Sequence, residues 1–289
     1  MARTVFDGKF FRITHTIEEE GPHPSIPNDY YDDSFSIMAL IQGGGICHVE
    51  GNCYRISDGD IIMLGLDEIH SYTFEQEGYH ERLSFYFSSS MLSPLWEYEL
   101  PLLQPFCSHI PGTQNRYGRV DYDYSKVSGI LSEVCQVLDN SQGHPDCVQE
   151  AGMHLLLLQL LFSLYDAYEK FELPPTNHIS DSVITDICKY IHGNLAEKLT
   201  YQHLQDKFLV SRYQLTEVFQ RNTGMTLTEY IIQKRLVKVT NLVRNGMGIE
   251  RAAFEAGFQN YSHFYKDFVK RKNISPRKYY AAQTSHQDN

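Results

Sequence analysis

The sequence predicts a two-domain α+β protein: an N-terminal β-barrel with flanking helices, and a C-terminal all-α domain holding two helix-turn-helix units. Three observations carry this. Short apolar runs punctuated by Gly and Asp fill the region from Phe10 to Phe87. Helical periodicity replaces them from Val127 onward. A Pro-containing break at 171–181 separates an acidic part from a basic one, since residues 1–180 carry 9 Lys+Arg against 26 Asp+Glu and residues 181–289 carry 16 against 10. The net charges are thus −17 and +6 within a total of −11, so only the C-terminal part has the electrostatics of a polyanion partner.

In chain order, the runs Phe35–Ile41, Cys53–Ile56, Ile61–Leu64 and Leu83–Phe87 lie between turn signals at Gly43-Gly44-Gly45, Glu50-Gly51-Asn52, Ser57-Asp58-Gly59-Asp60, Gly65-Leu66-Asp67 and Glu77-Gly78. Short strands at this spacing predict an all-β sandwich or barrel. Alternation along the last run puts Arg82, Ser84 and Tyr86 on one face and Leu83, Phe85 and Phe87 on the other. Residues 88–120, with Pro94, Pro101, Pro105 and Pro111, read as irregular cover for the barrel. Val127, Ile130, Leu131, Val134 and Leu138 then mark one amphipathic helix, and Cys147 to Lys170 a second that is apolar nearly all round from Leu155 to Leu161. Tandem Pro174-Pro175 end it and stiffen a linker at 171–181.

Beyond the linker everything reads as helix. Thr200 caps a helix ending near Phe208, Leu209-Val210 forms a turn, and Ser211 caps a second helix with Leu215, Val218 and Phe219 on its buried face. Gly224 supplies a left-handed C-terminal cap, and Thr226-x-x-Glu229 is a capping box for a long helix with Ile232, Leu236, Val239 and Val243 turned inward. The pattern repeats: a short helix Ile249–Ala256 with small Ala252 and Ala253, a Gly257-Phe258 turn, then a helix capped by Asn260 with Phe264 and Phe268 buried. Ser275-Pro276 opens a last turn. Two short-helix, turn, longer-helix units, with second helices beginning at 211 and 260, are helix-turn-helix geometry twice over.

Composition excludes several classes. With 42% hydrophobic and 21% charged residues, the chain is neither disordered nor fibrous. Its 6 cysteines include no C-x-x-C pair, which speaks against a zinc module or a disulfide scaffold. Residues Met1 to Phe11 lack the apolar core of a leader, and the run Leu155 to Phe162, broken by Gln159, falls short of the ~18 residues of a membrane span, so a cytoplasmic protein without a membrane segment is expected.

Residues 198–280 resemble the DNA-binding domain of AraC/XylS transcription regulators. The resemblance rests on Ala256-Gly257-Phe258-x-x-x-Ser262-x-Phe264-x-x-x-Phe268 followed by Ser275-Pro276-x-x-Tyr279. A second match is Ser211-x-x-x-Leu215-x-x-x-Phe219 with Gly224-Met225-Thr226 and Tyr230-x-x-x-x-Arg235-Leu236. It implies a domain at 182–289 that reads double-stranded DNA through Tyr213, Thr216, Glu217 and Gln220 of the first unit and Tyr261, Ser262, His263, Tyr265 and Lys266 of the second. Arg212, Lys270 and Arg271 are the implied phosphate contacts. The chain departs from the family at Gln205 (usually Ala), Leu209 (usually the turn Gly), Glu217 (often Arg) and Asn273 (usually Gly).

The family's sugar-responsive members carry a cupin-type barrel in front. Here Gly51-x-x-Tyr54-x-x-x-x-Gly59-Asp60-Ile61-x-x-x-Gly65-x-x-Glu68-Ile69-His70-x-Tyr72 resembles it, implying a cupin-like effector domain at 1–120. Carried over by position, the pocket falls on Gln42, Tyr72, Arg82 and Ser84, with His70 as a structural or ligand-bonding side chain. Gln42 stands where the family has Arg, and Ser84 where it has an aromatic. The resemblance implies a regulator, not an enzyme, with no cofactor or metal. Its effector would be sugar-like, its other partners RNA polymerase and a second copy, and its dimer contacts the helical segment 121–170. Two alternatives stand beside this. One is a metal-dependent cupin enzyme using His48, Glu50 and His70, disfavoured because the His-x-His pair is missing and Phe74 occupies an expected Asn. The other is a DNA-binding protein whose barrel only dimerises.

Overall fold

A computed structural model describes residues 2–18, 34–66, 68–74, 78–170 and 182–284. They form two compact units, one N-terminal and one C-terminal. The linker expected at 171–181 lies outside the described residues.

In the N-terminal unit, β1 (Ala2–Asp7), β2 (Phe11–Glu18), β3 (Phe35–Gln42), β6 (Ile61–Leu64), β8 (His80–Phe87) and β9 (Arg116–Tyr117) make a six-stranded antiparallel sheet in the order β1-β2-β8-β3-β6-β9. The strands β4 (Gly45–Val49), β5 (Asn52–Ile56) and β7 (His70–Phe74) make a three-stranded sheet in the order β5-β4-β7. Strict alternation gives the large sheet two different faces. Met38, Leu40, Ile62 and Leu64 meet Cys47, Val49, Tyr54, Ile56, Tyr72 and Phe74 of the small sheet in one core, the inside of the cupin-like barrel. On the other face Ile13, Ile37, Ala39, Met63, Leu83, Phe85 and Phe87 pack against helices. Fully burying one such side chain contributes about 1.5–3 kcal/mol.

Those helices are α2 (Tyr124–Ser141) and α3 (Cys147–Lys170), below a short α1 (Gln104–Cys107). Asp123 caps α2 by accepting the Lys126 amide at 3.1 Å. Val127, Ile130, Leu131, Val134 and Leu138 are buried, as their spacing requires. By length and composition α3 could cross a membrane. Met153, Leu157, Leu160, Leu161 and Leu164 instead lie in the sheet-facing core. The two helices therefore share a core with the sheet; they are not a segment apart from it.

Residues 88–120 are more regular than their prolines suggest. Ser89–Tyr98 is a 3-10 helix around Pro94, and β9 closes one edge of the large sheet. The strand β1, which has no clear sequence signal, pairs with β2 along its length.

In the C-terminal unit, α4 (Ser182–Gly193) and α5 (Tyr201–Phe208) precede the first long helical run. That run contains a π-helical stretch at Gln214–Val218 continued by α6 (Phe219–Thr223). The central α7 (Leu227–Arg244) opens on the expected capping box, with both Thr226 and Glu229 bonds formed. It serves two cores: Tyr230 packs edge-on against Phe219, 5.5 Å between centroids. Leu236 and Val239 join Ala252, Ala253, Phe264 and Phe268 from α8 (Ile249–Glu255) and α9 (Tyr261–Lys272), closed by Tyr280 of α10 (Pro276–Thr284).

Candidate DNA interface and effector pocket

The first candidate surface begins at the turn after α5. Thr200 caps α5 by accepting the His203 amide at 3.1 Å, and Leu209 ends it in the left-handed region at φ 53° with its side chain exposed. The conformation expected of a Gly is thus kept by a Leu, at a cost of about 1–2 kcal/mol. Ser211 and Gln214 cap the next helix reciprocally, Gln214 N–H donating to Ser211 Oγ and Ser211 N–H to Gln214 Oε1. Leu215 and Phe219 are buried, while Arg212, Tyr213, Glu217 and Gln220 are exposed. The half-buried Thr216 donates its hydroxyl back to the Arg212 and Tyr213 carbonyls. Arg212 lies over the Tyr201 ring at 3.9 Å, which fixes the direction of its guanidinium.

The π stretch was invisible in the sequence. Phe219 N–H reaches Gln214 O, five residues back, so the turn is widened and every side chain after it is rotated relative to a regular helix. Val218, expected inside, is half-buried for that reason.

The second surface is regular. Asn260 caps α9 by accepting the His263 amide at 2.9 Å. Phe264 and Phe268 turn inward, leaving Ser262, His263, Tyr265, Lys266 and Lys270 exposed and Tyr261 half-buried against Phe264. Arg271 is also half-buried, its guanidinium 3.6 Å from Asp267, so it is tied within its own helix. Asn273 ends the helix at φ 54°, a conformation Asn tolerates better than most residues. Gly257 sits at φ +98°, where an added Cβ would lie 2.0 Å from the Leu195 carbonyl oxygen. Arg235 donates to the Leu195 and Glu197 carbonyls at 3.1 and 3.0 Å beside it. The turn of this unit is thereby docked on the segment that follows α4 and on the middle of α7.

In the barrel, register decides which predicted residues meet. Thr14 pairs with Ser84 and Ser84 with Met38, while Arg82 pairs with Leu40, so Thr14, Arg82 and Ser84 share the interior face. Tyr72, Phe74 and His70 alternate onto the facing sheet. Arg82 lies over the Phe74 ring at 4.7 Å and reaches both Glu18 oxygens at 3.4 Å. Burial raises the Tyr86 phenol, against a hydrogen bond with Ser84 and the charges of Arg3, Arg82 and Arg12. Burial likewise raises Tyr72, which hydrogen-bonds Cys47. His70 Nδ1–H donates to the Glu68 carbonyl oxygen at 3.2 Å, and burial pushes its pKa down to about 4.

Gln42 is the exception. A bulge between Leu40 and Gln42 shifts the register so that Gln42 opposes Glu81, and its side chain is exposed. It is not brought to the other four. Arg12, Thr14 and Tyr86 are interior residues that positional carry-over did not select, although the alternation of Phe11 and Ile13 with Arg12 and Thr14 signals the face. Nor do His48, Glu50 and His70 converge: His48 lies on the outer face of β4 with Cys53 Sγ 3.3 Å from its Nδ1, and Glu50 accepts the Ile69 amide at 2.6 Å.

Beside the pocket, Glu68 is a buried anchor. It accepts from His109, the Gly112 and Gly65 amides and Asn115 at 2.7–3.0 Å. Burial alone would raise its pKa, but the His109 bond and charge and the amides outweigh burial and hold it below the ordinary value.

A model of the AraC-like ligand binding domain matches residues 16–161, and one of a helix-turn-helix domain matches residues 204–282. The chain belongs to the AraC family. It is similar to the HTH-type transcriptional activator RhaS of Escherichia fergusonii, with 25% identity over 267 residues, covering 92% of this chain and 91% of that one. RhaS of Shigella sonnei shares 23% over 265 residues, 90% of each chain. Among solved structures, ToxT from Vibrio cholerae O395 is 17% identical at a TM-score of 0.40, with 94% of this chain and 97% of that chain covered. As an AraC-family member the chain is a transcription regulator with a ligand-binding cupin-like domain and a DNA-binding helical domain.

Proposed function

We propose that the chain is a sequence-specific transcriptional activator whose two helix-turn-helix units read successive major grooves on one face of a duplex. The reading is carried by the exposed, polar and aromatic outer sides of both second helices, set over buried Leu215-Phe219 and Phe264-Phe268 pairs. Tyr213, Glu217 and Gln220 face bases from the first unit; Ser262, His263, Tyr265 and Lys266 do so from the second, with Tyr261 and Thr216 as partly covered neighbours. Arg212 and Lys270 hold phosphates, and Arg271 supports α9 from within. The name of the RhaS relatives supports activation, and RNA polymerase is the partner that activation requires. The protein acts in the cytoplasm.

The effector is a small sugar derivative held between Tyr72, Arg82, Ser84 and His70. The Arg3, Arg12 and Arg82 charges around Tyr86 favour one carrying an acidic group. Such a ligand acts only by binding the DNA-competent state more tightly than its alternative. A homodimer forms through α3, where Val148, Leu155 and Phe162, seven residues apart, stay exposed along one side. Thermal shifts of the full chain across neutral sugars and sugar acids test the pocket. Stabilisation by sugar acids, reduced in Arg82→Gln, supports it; no shift with any member, or an equal shift in the variant, removes it.

A further inference from the structure

We propose that His15, Glu81 and Cys135 form a binding site for one borderline divalent cation, zinc by the chemistry of its donors, on the helix-facing side of the large sheet. His15 on β2 and Glu81 on β8 lie on neighbouring strands, on the face opposite Arg82 and Ser84, and Cys135 comes down on them from α2. His15 Nε2 is 2.8 Å from Glu81 Oε1 and 3.9 Å from Cys135 Sγ, and the three donor atoms all lie within 4.8 Å of one another. Zinc bonds of about 2.0–2.3 Å in a tetrahedron place donors roughly 3–4 Å apart, so the side chains need to move by less than an ångström. One imidazole, one thiolate and one carboxylate suit zinc better than the oxygen-seeking magnesium or calcium.

The surroundings fit as well. Tyr79 donates its hydroxyl to Glu81 Oε2 at 2.8 Å, and an Asp139 oxygen lies 4.0 Å from His15 Nδ1. This is where an outer carboxylate orients a metal-bound imidazole. A pocket of about 190 Å³, lined by Glu81, Cys135, Leu131, Ser132 and Tyr122, reaches the cluster. It supplies an entry path and room for a fourth ligand. Burial, with Glu81 and Asp139 adding to it, pushes the Cys135 thiol up to about 12, so a cation that binds there has to displace the thiol proton. Since β8 carries Arg82 and Ser84 on its other face, metal binding ties a strand of the effector pocket to α2, giving the sensor unit a second input. None of this depends on the DNA-binding reading.

Chelator-stripped full-length protein titrated with cobalt(II) tests the site. One equivalent should give tetrahedral visible bands and a thiolate-to-cobalt charge-transfer band, both displaced by zinc. Cys135→Ser should abolish the charge-transfer band, His15→Gln and Glu81→Gln should weaken binding, and Asp139→Asn should weaken it by about 10-fold while keeping the band. In unmutated protein, zinc should protect Cys135, but not the exposed Cys107, from alkylation followed by peptide mass spectrometry. A charge-transfer band that persists in Cys135→Ser, no tetrahedral spectrum in the folded wild type, or equal Cys135 alkylation with and without zinc would overturn the proposal.

Discussion

Replacing Gly257 by Ala asks whether the second helix-turn-helix unit depends on one close backbone contact. The added methyl would stand 2.0 Å from Leu195 O and 2.9 Å from Arg235 Nε, at a φ of +98°. Positive φ alone costs an L-residue about 1–2 kcal/mol. Forcing the carbonyl away adds about 1–3 kcal/mol of overpacking. The total of about 2–5 kcal/mol excludes the 3.1 Å Arg235–Leu195 hydrogen bond, which would be strained as well. For a unit of this size it corresponds to a melting shift of at least about 8 °C. Scanning calorimetry of the full chain, with DNA binding measured beside it, reads the effect on the C-terminal transition. Gly193→Ala, where nothing lies within 4 Å, serves as the control and should be neutral or slightly stabilising. A Gly257→Ala loss below about 0.5 kcal/mol, inside the range of ordinary surface changes, would refute the reasoning.

The first unit should respond with the opposite sign: Leu209→Gly relieves a left-handed Leu and should stabilise by about 0.5–1 kcal/mol in chemical denaturation, after the entropy of Gly is subtracted. Acid should weaken the N-terminal unit in two windows. His70 is held neutral, with its pKa lowered from 6.5 to about 4, so the unfolded chain takes up its proton first and about 3 kcal/mol is lost as pH falls from 6.5 to 4. Glu68, held below 4.5, contributes above that value and loses its contribution as pH falls beneath it. Urea melts across this range should flatten between pH 6.5 and 4 in His70→Gln; an unchanged profile would discard the His70 account. Leu155→Asp, at an exposed site, should yield monomer by light scattering with its melting temperature kept; an unchanged dimer would move the interface elsewhere.

Much of this was legible in the sequence where a single period governs a segment. Leu83, Phe85 and Phe87 against Arg82 and Ser84 followed from alternation, and α2 from its 3-4 spacing, because each has one apolar face with one destination. The Thr226–Glu229 capping box and the Leu215-Phe219 and Phe264-Phe268 pairs were legible for the same local reason. What escaped reading depends on partners far along the chain. The bulge that turns Gln42 out of the pocket is set by pairing with Glu81, and the π turn at Gln214–Val218 has no composition of its own. The His15-Glu81-Cys135 cluster joins residues up to 120 positions apart. The strand β1 was likewise decided by its pairing with β2.

The central claim, that each chain reads duplex DNA with two helices, is tested most directly by selecting binding sites from a random duplex pool with the full-length protein and with two variants, Lys266→Ala and Tyr213→Ala. The account predicts a site with two base blocks about one helical turn, 10–10.5 bp, apart. Lys266→Ala should relax one block, Tyr213→Ala the other, and affinity should fall steeply with salt. Absence of any enriched sequence, or one block untouched by both substitutions, would contradict it.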